Sequence, residues 1–180
     1  MTVLCSVILM ITLTGCERNY GEEIEKRYRD MENYTAKVCF AVNGAEYELL
    51  QSYQRPDTFR SEVLSPKHLK GTVSEVTPEE FRLTGGNFSS VKLPRTAKES
   101  LAHLQLRDFF LAYYEDGTRL MKVTEDNGIL LECKSKGDHR YIDKQVLRLN
   151  QKSLLPETLL GYHQDGSEVF RIVYLEFKKE

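Results

Sequence analysis

The chain has 180 residues, with 25 Lys and Arg against 27 Asp and Glu for a formal net charge of −2, and it contains no tryptophan. Charge so nearly balanced argues against nucleic acid as a partner, which would call for a clustered basic face. Charged residues make up 29% of the chain and only one long apolar stretch interrupts them, so the expectation is one soluble domain with a greasy amino end.

That stretch is MTVLCSVILMITLTGC. The run from Val3 to Leu13 is shorter than the roughly 20 residues a bilayer span needs and has the length of the hydrophobic part of a secretory signal. It closes on Leu13-Thr14-Gly15-Cys16, which resembles the lipobox of bacterial lipoproteins, where small residues precede a cysteine that takes a diacylglyceryl group. The expectation is that residues 1–15 are a lipoprotein signal peptide, that Cys16 is the lipidation site, and that residues 16–180 form one domain. A protein so processed sits on the extracytoplasmic face of the cell membrane, held by two or more acyl chains at about 0.8 kcal/mol per buried CH₂. No Lys or Arg precedes the run, so the α-amine alone supplies its positive end.

Beyond Cys16, Glu22 to Glu32 reads as a short amphipathic helix with Ile24, Tyr28 and Met31 on one stripe and Glu22/Lys26, Glu23/Arg27 and Glu25/Arg29 as i,i+4 pairs. A β-hairpin follows, Tyr34 to Val42 and Ala45 to Gln54 around Asn43-Gly44, a pair suited to the positive φ angles of a type I′ turn. Ala36, Val38, Phe40 and Val42 mark one face of it; Tyr47, Leu49 and Tyr53 mark another. Arg55-Pro56-Asp57 predicts a turn, Phe59 to Leu64 a third strand, and Leu69 to Val76 with Phe81 to Leu83 a further hairpin around Thr77-Pro78-Glu79.

Gly85-Gly86 opens a predicted loop. Thr96-Ala97-Lys98-Glu99 has the form of a capping box at the start of a helical stretch carrying Leu101, Leu104, Phe109, Phe110, Leu111 and Tyr113. Apolar over a wide arc, that stretch suits a concave surface better than a flat one. Strands then return: Arg119 to Thr124, Ile129 to Ser135, Tyr141 to Leu149, Thr158 to His163 and Glu168 to Phe177, with turns at Asn127-Gly128, Gly137-Asp138 and Asp165-Gly166. The fold class is α+β, a single strongly curved antiparallel sheet with helices on its concave side.

Chemistry is sparse. His68, His103, His139 and His163 lie apart, near turns or on the predicted helix. Ser89, Ser90 and Ser100 lack a nucleophile elbow, and Glu79-Glu80 reads as turn charge. No metal-ligand spacing or phosphate loop appears, so no enzyme activity, metal or cofactor is expected. Strand alternation places Cys39 with Thr35 and Lys37, and Cys133 with Leu131 and Ser135, on opposed faces; this permits a disulfide without favouring one. Tyr47, Tyr53, Phe59, Phe109, Phe110, Tyr113 and Tyr114 either fill the core or line a pocket for acyl chains.

The carboxyl third carries a resemblance. Leu149-Asn150-Gln151-Lys152-Ser153-Leu154-Leu155-Pro156, Tyr162-His163-Gln164-Asp165-Gly166 and Ile172-Val173-Tyr174-Leu175-Glu176-Phe177 resemble the closing hairpin of the outer-membrane lipoprotein carrier family of LolA and LolB. Tyr34-Thr35-Ala36-Lys37-Val38 and Gln51-Ser52-Tyr53-Gln54-Arg55-Pro56-Asp57-Thr58-Phe59-Arg60-Ser61-Glu62, with Leu64-Ser65-Pro66 and the lipobox, are similar to GerS-like, sporulation-associated germination lipoproteins. The resemblance implies an incomplete LolA/LolB-like β-barrel plugged by helices. It further implies a membrane-anchored, non-enzymatic partner of an envelope protein such as a peptidoglycan amidase, acting in spore cortex modification and germination. The alternative is a lipid or lipoprotein carrier or receptor that binds acyl chains in the concave face.

Overall fold

Asn43 and Gly44 both take positive φ, 50° and 76°, as a type I′ turn requires. They join β1 (Asn33–Val42) to β2 (Ala45–Gln54) in unbroken register from Val42↔Ala45 to Asn33↔Gln54. In the computed structural model, which describes residues 18–85, 88–93, 105–135 and 142–179, this hairpin begins a meander through β3 (Thr58–Ser65), β4 (Val73–Val76), β5 (Phe81–Gly85) and β6 (Phe88–Leu93). The carboxyl half runs through β7 (Leu120–Val123), β8 (Gly128–Lys134), β9 (Lys144–Asn150), β10 (Pro156–Tyr162) and β11 (Glu168–Lys179).

All these strands form one antiparallel sheet in the order β6-β5-β4-β3-β2-β1-β11-β10-β9-β8-β7. The first and last strands meet at its middle, and β6 and β7 remain edges, so the barrel is incomplete. Register shifts between β1 and β11, β2 and β3, β9 and β10, and β10 and β11 insert extra residues such as Leu175 and Val169. Bulges of this kind bend and twist the strands they interrupt, which is how an open sheet acquires curvature.

Two expectations about the strands need correction. The faces assigned separately to β1 and β2 are one face: Val38 pairs with Leu49 and Phe40 with Tyr47, and directly opposed residues point the same way. Nor is the stretch after Gly85 all loop: β5 runs through Gly85 and pairs with a further strand, β6, Phe81 opposite Leu93. Val91-Lys92-Leu93 alternates as a strand does, while the two preceding glycines mask it.

α1 spans Tyr20–Tyr28. Asn19 Oδ1 accepts the Glu22 amide at 3.3 Å, Glu22 and Glu23 occupy the first turn and Lys26 and Arg27 the last, each charge favourable to the helix dipole. The helix stops short of the predicted Glu32, and Lys179 Nζ caps its end by donating to the Arg27 carbonyl at 2.5 Å. The chain then turns toward β1 with Met31 buried. α2 spans Leu106–Glu115; the predicted capping box at Thr96, with Leu101 and Leu104, lies outside the described residues, as does the Gly137-Asp138 turn.

Candidate functional site

The concave face is occupied by the chain's own residues. Leu106, Phe109 and Phe110 of α2 are at most 1% exposed, and they meet Ile129 and Leu131 of β8, Leu147 and Leu149 of β9, and Ile24 and Tyr28 of α1 in one core. Tyr28 stacks on Phe110 with ring centroids 4.2 Å apart, while Phe109 meets Phe110 edge-on at 5.4 Å, the geometries aromatic quadrupoles prefer. Arg107 fastens α2 to the β2–β3 turn: its guanidinium lies 2.8 Å from Asp57 Oδ1 and 5.3 Å over the Tyr53 ring. Of the aromatics that could have lined a pocket, Tyr53, Phe59, Phe109, Phe110 and Tyr113 are buried, and Tyr47 and Tyr114 are half-buried. They pack the core.

Three tyrosines inside this face differ in how their hydroxyls are met. Tyr28 Oη donates to the Leu154 carbonyl at 2.6 Å. The Tyr174 hydroxyl and Gln51 Oε1 are buried without a hydrogen-bond partner among the described residues, while the buried Tyr34 hydroxyl lies against the Leu106 backbone. Burial pushes the Tyr34 and Tyr174 phenols well above their usual range, since a phenolate there would lose its hydration. Gln51 shares the Tyr47-Leu49-Tyr53 face, and apolar alternation gave no signal for it.

The Leu149 to Pro156 motif acts as a docking loop. Asn150 Oδ1 accepts the amides of Lys152 and Ser153 at 3.1 and 3.0 Å and the Ser153 hydroxyl at 3.2 Å. The turn so held presents consecutive carbonyls to α1: Arg18 donates to Gln151 O at 3.0 Å, Arg27 to Ser153 O at 2.6 Å, and Tyr28 to Leu154 O. The sequence shows the bend but not its use, because the contacts bridge residues more than 120 positions apart.

Cys16 lies outside the described residues, and so do His103, His139 and Ser100. His68 is exposed and His163 half-buried, on separate parts of the sheet, and no group of three or more metal-binding side chains occurs among the described residues. Cys39 and Cys133 are free. Cys133 sits on the concave face beside Leu131, and burial pushes its thiol up to about 12. No described helix is long and apolar enough to cross a membrane. Between the helices a cleft of about 150 Å³ is lined by Tyr28, Arg29, Arg107, Phe110, Leu111, Tyr114 and Glu115. Its Arg29 is engaged by Glu25 and its Arg107 by Asp57.

No protein-family profile and no curated protein matches the chain. Among solved structures it is similar to GerS, as seen in the structure of the CwlD amidase from Clostridioides difficile in complex with the GerS lipoprotein, at 26% identity and a TM-score of 0.58 over 100% of both chains. It also matches an uncharacterized conserved protein from Thermus thermophilus, at 16% identity and TM-score 0.57 over 89% of this chain and 87% of that one. A provisionally named outer membrane lipoprotein-sorting protein domain from Vibrio parahaemolyticus matches at 10% identity and TM-score 0.50, over 89% and 90%. The last two show the fold alone. The chain has a LolA-like half-barrel fold, and among proteins of that fold it is close to GerS.

Proposed function

We propose that this chain is a lipid-anchored, non-enzymatic envelope protein, a GerS-like partner of a peptidoglycan amidase that supports spore cortex modification and germination. The observation that carries this reading is the whole-length likeness to a lipoprotein that was itself solved in complex with an amidase. A face filled by Leu106, Phe109 and Phe110 supports it further, because contact with a partner then falls to the convex side and the edges of the sheet. Residues 1–15 are removed in this reading, and Cys16 carries the acyl chains that hold residues 16–180 outside the cytoplasm. The carrier alternative, with acyl chains in the concave face, draws on the fold, but those chains would have to displace α2.

Mixing the purified lipoprotein with each envelope amidase of its host tests the proposal by size-exclusion chromatography with light scattering. A stoichiometric complex with one amidase is expected. Elution without a partner beside every one of them would overturn the proposal.

A further inference from the structure

Six large apolar side chains stand strongly exposed among the described residues, and three of them, Leu120 (61%), Met121 (45%) and Val123 (42%), belong to the four-residue strand β7. β7 is an edge of the sheet, so one side of its backbone has no strand partner among the described residues. Met121 and Val123 stand opposite Leu131 and Ile129, which puts them on the concave face and makes them the solvent-facing continuation of the core. An apolar edge of this kind invites unwanted pairing unless something covers it.

The cover is indicated by where the chain leaves the domain. Met121 Cε lies 4.0 Å from the position a Cβ on Gly21 would take, so β7 flanks the first turn of α1. Arg18, just before that turn, is held by the carbonyls of Gln151 and Lys152. Asn127 O accepts the Gln151 amide at 2.9 Å, which brings the β7–β8 turn to the same rim. Cys16 precedes Arg18 by two residues, a reach of about 7 Å even when fully extended. A lipid on Cys16 therefore holds this rim close to the bilayer surface, with β7 within reach of it.

We propose that the β7 edge, with Met121 and Val123 foremost, rests in the headgroup region of the membrane that anchors Cys16, as a second point of attachment. The proposal rests on the lipid-anchor reading. An acyl anchor alone is a swivel; a second contact fixes which face of the half-barrel looks outward. The exposed cations beside this rim are Arg119, Lys122 and Lys152, against the exposed Glu125 and Asp126, the latter already paired with Arg148. Apolar area drives insertion, and attraction of these cations to anionic lipid adds to it.

The chain has no tryptophan, so a single introduced one reports its own surroundings. Full-length Met121→Trp, Val123→Trp and, as a control on the opposite edge strand, Val91→Trp are expressed in bacteria. Their intact masses are read for a diacylglyceryl group, and each is reconstituted into phosphatidylcholine vesicles with brominated acyl chains. The expected result is quenching of about twofold or more at 121 and 123, with a blue shift, and little at 91, given that interfacial apolar faces sit about 5–10 Å into the headgroup and acyl boundary. Acylated, vesicle-bound protein in which tryptophan at 121 and 123 is quenched no more than at 91 overturns the β7 contact and leaves the anchor standing. A chain that carries no lipid and stays off the vesicles removes the anchor and this proposal together. Quenching absent with lipid, but a blue shift on adding an amidase, assigns the edge to a protein instead.

Discussion

The same change, Tyr→Phe, should have opposite consequences at two neighbouring positions of the concave face. At Tyr28 it removes a 2.6 Å hydrogen bond to the Leu154 carbonyl, in a turn where Leu154 is 4% exposed. A net hydrogen bond is worth about 1 kcal/mol, and a stranded buried carbonyl adds to the loss, so Tyr28→Phe should cost about 1.5 kcal/mol. At Tyr174 the hydroxyl is buried and unpartnered among the described residues. Phe there keeps the ring contact with Phe177 at 6.2 Å and relieves a desolvated dipole, so Tyr174→Phe should be neutral or stabilising by up to about 1 kcal/mol. Urea unfolding followed by circular dichroism reads both. With a slope of about 2 kcal/mol per molar, the Tyr28 variant's midpoint falls by about 0.7 M while that of Tyr174→Phe holds or rises. A loss at Tyr174 as large as that at Tyr28 would refute the reasoning and mean that its hydroxyl bonds to something held inside the half-barrel, as a carrier would require.

Gly161→Ala should be costly although Gly161 has an ordinary strand backbone: its Cβ would stand 2.7 Å from Cδ1 of Phe170, which lies across it in β11, and closer still to Cε1. A loss of about 1–3 kcal/mol in thermal or urea unfolding is expected from such overpacking. At neutral pH a maleimide should label Cys39, which is half-buried, and leave Cys133 unlabelled until denaturant is added, because burial keeps its thiol protonated; peptide mapping reads the difference. Asp116 accepts the Lys134 amide at 2.7 Å and the Thr118 amide at 2.8 Å, and these bonds hold its carboxyl below the ordinary value of 3.8. A depressed pKa contributes stability that is complete above the unfolded value and disappears as pH falls through the folded one. Melting curves on acidification should therefore show a shallower decline for Asp116→Asn than for the natural chain.

The parts of the fold legible in the sequence are those fixed by local backbone demands. Asn43-Gly44, Asn127-Gly128 and Asp165-Gly166 announced hairpins because their conformations favour asparagine and glycine, and Asn43, Gly44, Asn127 and Gly166 all take positive φ. Contacts distant in sequence were not legible. Nothing local says that Lys179 caps the end of α1, that Arg107 reaches Asp57, or that the Asn150 turn presents carbonyls to α1. β6 is hidden in the sequence because a Gly-Gly pair suggests a loop, and Gln51 because one polar residue on an apolar face leaves the period of the strand unchanged. The exposed apolar edge at β7 read simply as one more strand. For the anchor the position is reversed: Cys16 is conspicuous in sequence and lies outside the described residues.

The most direct measurement is capture of the mature lipoprotein from envelope extract of its own host, with bound proteins and bound lipids both identified by mass spectrometry. A peptidoglycan amidase at near equal stoichiometry, with no acyl chains beyond those on Cys16, is the expected result. Non-covalent acyl chains recovered without any stable protein partner would contradict it and transfer the function to the concave face.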